Sequence, residues 1–231
     1  MKTFSELLER YGGRFAAELG IDVKAGPRER QKWFLAAILF GARISGRLAA
    51  RTYRVFMARK ILTPEAILAQ GWDGLVALLD EGGYARYDFK TATKLLKVME
   101  SLQRDYQGSL EGLHQASRDP GDLEARLQAL APGIGPGTVN IFLRELREVW
   151  FKAIPPLSSL AQAAAEQEGF LPTGLDPQEA LERLAELWQV QPVAGYDLAD
   201  LEAALVRLGL ELRREGRKTV RGREPGNIDL R

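Results

Sequence analysis

Apolar residues recur three and four apart along almost the whole chain, and no stretch keeps up the alternation of a half-buried strand. That period restricts the fold to the all-α class, because side chains spaced for a helix cannot line one face of a strand. Two helix starts are marked by cap chemistry. Thr63-Pro64-Glu65 sets a capping hydroxyl before a proline at the first helical position, and Asp176-Pro177-Gln178-Glu179 adds the glutamate of a capping box. Beyond the second start, Leu181, Leu184, Leu187 and Trp188 share a face, as do Leu198, Leu201, Leu205, Leu208 and Leu212 in the helix after it. Both stripes are expected to face a core. Breaks at Gly12-Gly13, Ala25-Gly26-Pro27, Gly82-Gly83, Asp119-Pro120-Gly121, Pro132 to Gly137, Pro155-Pro156 and Leu171 to Gly174 predict nine or ten short helices. No internal repeat or low-complexity tract interrupts them. The stretch from Arg213 to Arg231 is polar and basic with few aliphatics, and it is expected to be mobile.

Composition removes several kinds of chemistry. The 231 residues include no cysteine, which excludes disulfides, thiolate zinc sites, iron-sulfur clusters and a cysteine nucleophile. The single histidine, His114, excludes a His-rich metal site, so no cofactor and no metal is expected. It lies in the polar segment GLHQASRDP and reads as an exposed loop residue without a role. The longest apolar run, Trp33 to Phe40, falls far short of a membrane span, and the N-terminus lacks the apolar stretch of a secretory signal. The chain therefore reads as a soluble, cytoplasmic monomer with no membrane partner.

Charge is balanced overall, with 32 basic residues against 31 acids, but it is unevenly placed. Pro27 to Leu62 holds nine basic residues and the single acid Glu29, whereas Leu160 to Ala204 holds nine acids and the single base Arg183. A chain polarised in this way can turn one basic face to phosphate. Ordinary solvated helix faces would give the same counts.

The most informative stretch is Leu127 to Leu143, LQALAPGIGPGTVNIFL. A helix ending near Leu130 is followed by a Pro-Gly-Ile-Gly-Pro-Gly turn and by a second helix opening near Gly137 or Thr138, a helix-hairpin-helix signature. Gly133 and Gly135 permit a positive-φ turn and a close backbone approach to a ligand, while Ile134 can pin the hairpin between its helices. Amides at the start of the second helix would face outward at the positive end of a helix dipole, a device for gripping phosphate without reading bases. A tight turn between helices with no ligand would use the same residues.

The surrounding segments carry a resemblance to a known family. FLAAILFGARIS (Phe34 to Ser45), the stretch from Thr63 to Leu102 with its Gly-Gly-Tyr turn, the hairpin, DPQEALERLAELW and YDLADLEAALVRLGLELRREG follow one another as in the endonuclease III branch of the helix-hairpin-helix-GPD DNA glycosylases. The resemblance covers about residues 30 to 216. It implies a two-lobed fold without an iron-sulfur cluster: a six-helix lobe over 30–149 bearing the hairpin, and a second helical lobe from 1–29 and 150–231 with a basic C-terminal tail. It further implies double-stranded DNA as partner, bent or damaged, and a nucleoid-associated location. Arg43 stands where the family inserts a polar residue into DNA. With Ser45, Gly83 and Tyr84 it matches positions that contact or penetrate the duplex, and Gly133, Ile134, Gly135, Gly137 and Thr138 match the phosphate-gripping hairpin.

The chain departs from that family at its chemistry. The attacking lysine of bifunctional members falls on Gly137, and the usual aspartate falls on Pro155, Pro156 or Leu157, with no carboxylate between Glu148 and Glu166. No catalytic residue is assigned. Asp88, Lys90, Lys94 and Lys152 are candidates for substitute chemistry and equally for solvated charges or phosphate contacts, and Trp150 and Phe151 suit a core or a base pocket. The basic tail, with Arg213, Arg214, Arg217, Lys218, Arg221 and Arg223, can touch phosphate or fray. The expected function is a DNA-binding protein of the base-excision-repair glycosylase fold with weak or absent activity. The alternatives are a monofunctional glycosylase for a labile alkylated base and a protein-interaction module that has lost DNA.

Overall fold

A computed structural model describes residues 2–221, with side chains through residue 216, and every regular element among them is a helix. In chain order these are α1 (Phe4–Tyr11), α2 (Phe15–Glu18), α3 (Pro27–Phe40), α4 (Gly46–Ala58), α5 (Pro64–Leu68), α6 (Gly71–Gly82) and α7 (Asp88–Tyr106). They continue as α8 (Leu110–Ala116), α9 (Pro120–Ala129), α10 (Pro136–Arg144), α11 (Ser159–Gln167), α12 (Pro177–Val190) and α13 (Leu198–Arg221). Thirteen described helices exceed the nine or ten expected. Part of the excess comes from Gly71, whose positive φ separates α5 from α6, and from Gly108, whose positive φ follows the end of α7. Among the described residues no helix is long and apolar enough to cross a membrane. The two caps read from sequence form as expected: the Thr63 hydroxyl accepts from the Ala66 amide ahead of α5, and Asp176 with Glu179 completes a capping box ahead of α12.

Residues Arg14–Pro155 make one compact unit containing α2 to α10. Its centre is α3, which is apolar on every side over Trp33 to Leu39 and wholly buried there, with α4, α8 and α10 packed on it. Trp33 donates from its indole nitrogen to the Phe142 carbonyl at 3.1 Å, and the Phe34 and Phe142 rings lie 4.8 Å apart, locking α3 to α10. Each of these large side chains contributes roughly 1.5–3 kcal/mol by its burial. The unit takes in residues on both sides of the 30–149 span expected of the lobe, because Glu145 reaches back to the start of α2. Its carboxylate accepts from the Phe15 and Ala16 amides at 2.9 and 2.8 Å, and Arg14 donates to its carbonyl.

Residues Met1–Gly13 and Pro156–Arg231 make the second unit, in which α13 packs against α1 and α11. Gly209 lets α13 come so close to α11 that a methyl group there would lie 2.9 Å from the Leu160 carbonyl carbon. Phe4 sits 4.8 Å from the Phe170 ring, and Tyr11 donates to Glu211 at 2.6 Å. In the leucine stripes, Leu181, Leu184, Leu201, Leu205 and Leu208 are buried, and the remaining members are half-buried. The expected mobile stretch instead begins as helix, since α13 continues past Arg213 and Arg214 to Arg221. Arginine, lysine and glutamate all favour that state, and Gly216 opposes it by only about 1 kcal/mol. The tail from Gly222, with Arg223, lies outside the described residues, as do the side chains of Arg217, Lys218 and Arg221.

Candidate nucleic-acid interface

The hairpin is built from α9, the turn at 131–135 and α10. Gly133 has φ +90°, a conformation that carries the turn and strains any other residue. Gly135 departs from expectation: its φ is −100° in extended backbone, because it caps α10, whose first residue is Pro136. An added side chain at Gly135 or Gly137 would meet open space, so neither glycine is required for packing. Ile134 is 4% exposed and pins the turn from within, and its amide is bound to the Ala131 carbonyl. By contrast the amides of Gly133, Gly135, Gly137 and Thr138 have no partner among the described residues. Three of these donors therefore stand at the positive end of α10, with no acid in its first turn.

The Thr138 side chain is buried, so only its backbone amide is left for the phosphate grip expected of the hairpin. The side chain packs under Gly41, where an added methyl would clash with its hydroxyl and lie 3.0 Å from its Cβ. That contact seats the turn after α3, which carries Arg43, directly on the start of α10. Tyr84 is also corrected from DNA contact to core. It is 1% exposed, its hydroxyl donates to the Leu39 carbonyl at 2.8 Å, and burial pushes its pKa up to about 12. The Gly82-Gly83 turn before it is shaped by packing: a methyl on Gly82 would lie 2.7 Å from the Thr52 Cα, and the Arg51 guanidinium covers Gly83 and donates to the Gly82 carbonyl at 2.7 Å. Ser45 is exposed and caps α4, accepting from the Leu48 amide at 3.2 Å.

What these arrangements leave open is a groove of about 580 Å³. Arg43 and Gly133 line it, joined by Lys90 and Lys94 from α7, by Trp72 from α6, and by Phe89. Three cations and no carboxylate line its walls. Lys94 runs beside the hairpin, its Cε 3.1 Å from where a Gly133 methyl would stand, and burial pulls its ammonium pKa below the usual lysine range. Sequence reasoning missed Trp72, Tyr87 and Phe89. Only the exposure of Trp72 and Phe89, 40% and 57%, separates them from core aromatics, and exposure is not written in a helical period.

Several candidates are occupied elsewhere. Lys152 is buried, and its ammonium donates to the His114 carbonyl at 2.7 Å and to the Ser117 carbonyl, closing the C-terminus of α8. Asp88 accepts from the Phe89 amide at 2.7 Å, and desolvation followed by the Asp88 charge raises the pKa of Asp80. His114 is not an exposed loop residue. It belongs to α8, is 7% exposed and stacks flat on Trp150 at 4.6 Å, and burial followed by the Lys152 charge lowers its pKa. Trp150 is core and donates to Glu111 at 3.0 Å, while Phe151 projects outward, 78% exposed. Of the basic run, Arg30 is buried against Glu111 and the Val23 carbonyl, Lys32 pairs with Glu29, and Arg59 pairs with Glu81. Among the described residues no cluster of three or more acids and histidines could hold a metal ion. Compared with family models and with curated proteins, the chain matches none.

Proposed function

We propose that this chain is a DNA-binding protein that grips the phosphate backbone with the α9–α10 hairpin and recognises damaged, bent or otherwise distorted duplex, with little or no glycosylase or lyase activity. The observation that carries the reading is the convergence of Arg43 and Gly133 on one acid-free groove, in a hairpin whose amides at Gly133 and at the start of α10 are unpartnered among the described residues. Backbone donors and cations in that arrangement suit phosphate oxygens, which position a protein on DNA irrespective of sequence. The resemblance to the helix-hairpin-helix-GPD glycosylases supports the same reading. The family's own catalytic positions are empty of its groups here: Gly137 carries no amine, no carboxylate lies between Glu148 and Glu166, and Lys152 is committed to two carbonyls.

Gly137→Glu tests the grip. The new side chain would enter open space, and a carboxylate in the first turn favours a helix, so the variant should fold with unchanged or raised thermal stability. The same charge repels phosphate. Duplex affinity measured by fluorescence anisotropy should fall about tenfold or more at low salt, the equivalent of about 1.4 kcal/mol. Wild-type affinity should itself drop steeply between about 50 and 200 mM salt. Binding that is indifferent to both the substitution and salt would overturn the proposal.

A further inference from the structure

The groove offers more than phosphate contacts require. Trp72 and Phe89 expose large apolar faces at its wall, with ring centroids 5.2 Å apart and planes inclined at 41°. Their placement is fixed by the protein itself: the Trp72 indole donates to the Thr93 hydroxyl at 3.0 Å, and that hydroxyl donates to the Phe89 carbonyl at 2.9 Å. The polar edge of the tryptophan is thereby satisfied internally. What remains for a ligand is its ring face, in a groove that Arg43, Lys90 and Lys94 also line. A rigid aromatic platform inside a groove with three cations and no acid complements one chemistry, a planar ring joined to a phosphate.

We propose that this groove takes an unpaired nucleotide of a DNA strand, its base stacked on Trp72 and Phe89 and its phosphate held by Lys94, Lys90 and Arg43. The proposal rests on the DNA-binding reading and adds what is recognised. A base within an intact duplex has both faces covered by its neighbours, so the platform can accept only a base that has left the stack, at a bulge, a gap or a single-stranded end. A groove of about 580 Å³ lies within the range of small-molecule sites, enough for one nucleotide and too little for a paired step.

The experiment compares three 5′-labelled probes of one sequence by anisotropy: an intact duplex, the same duplex with a one-nucleotide bulge of 2-aminopurine, and the single strand. Wild-type protein should prefer the bulged duplex over the intact one by about tenfold and quench 2-aminopurine fluorescence on binding. Trp72→Ala and Phe89→Ala alter exposed side chains, and each should bring the ratio of bulged-duplex to intact-duplex affinity to within about twofold of one and erase most of the quenching. Trp72→Phe should restore both. Equal affinity for bulged and intact duplex in the wild type, or a preference that survives both alanine variants, overturns the stacking site and leaves the hairpin reading standing. Failure to bind any of the three probes overturns both.

Discussion

Glu145 is the most deeply committed single side chain in the larger unit. It is fully buried, and desolvation pushes its pKa up to about 7 against the opposing pull of Arg144, the Ala16 and Phe15 amides and Arg14. A folded-state pKa above the unfolded value of 4.5 has a definite sign: the proton is bound more tightly in the folded protein. The resulting stabilisation is complete below about pH 4.5 and is lost as pH rises through about 7. Thermal stability should therefore decline between pH 5 and 8 by on the order of 2–3 kcal/mol from this residue. Glu145→Gln, which cannot titrate, should flatten that part of the profile even though it costs stability at every pH. A profile of unchanged slope in the variant would assign the decline to other groups.

At the scale of elements, the hairpin and the groove depend on short helices held by single tethers. Lys152 is the clearest of these, because its ammonium satisfies two carbonyls at the end of α8 from outside that helix. Lys152→Met keeps the stem and removes the donors, leaving two buried acceptors unmet. The expected loss is about 2–4 kcal/mol in chemical denaturation, with near-ultraviolet dichroism changing as the His114–Trp150 stack loosens. A loss below about 0.5 kcal/mol would mean that water takes over the carbonyls. The same elements show what a sequence discloses. Caps at Thr63 and Asp176 and the hairpin turn were legible because their chemistry is local, settled within four residues. The burial of His114 was not legible, since its neighbours in sequence are polar and its partner Trp150 arrives from another segment. Trp72 and Phe89 were hidden for the same reason: they become a pair only when α6 and α7 pack. Tyr84 and Thr138 were readable as family positions but not as core, because the contacts that bury them come from α3 and the turn after it.

At the scale of the whole chain, charge follows the division into units. Arg14–Pro155 carries 21 lysines and arginines against 16 acids, a net +5, and the remaining residues carry 11 against 15, a net −4. The unit that holds the groove is thus the one suited to a polyanion. The other is held together by a different core, in which Leu8 of α1 is 1% exposed and α1 packs on α13. Leu8→Ala should cost about 2–5 kcal/mol there. Hydrogen exchange should quicken across 4–11 and 159–221 while α3 and α10 keep their protection. Faster exchange throughout both units would show that they unfold as one.

The chain crosses from one unit to the other and returns, which gives its biosynthesis a fixed order. Helix α1 leaves the ribosome before any of the residues that cover it, and α13, its partner, emerges only after the whole Arg14–Pro155 unit. At ~5–20 residues per second the interval is about 10–40 s. The intervening unit can complete its core in that time. For as long as it lasts, Phe4, Leu7 and Leu8 line the face of a helix that has nothing to lie against, so α1 is the segment of the nascent chain that a chaperone would be expected to hold.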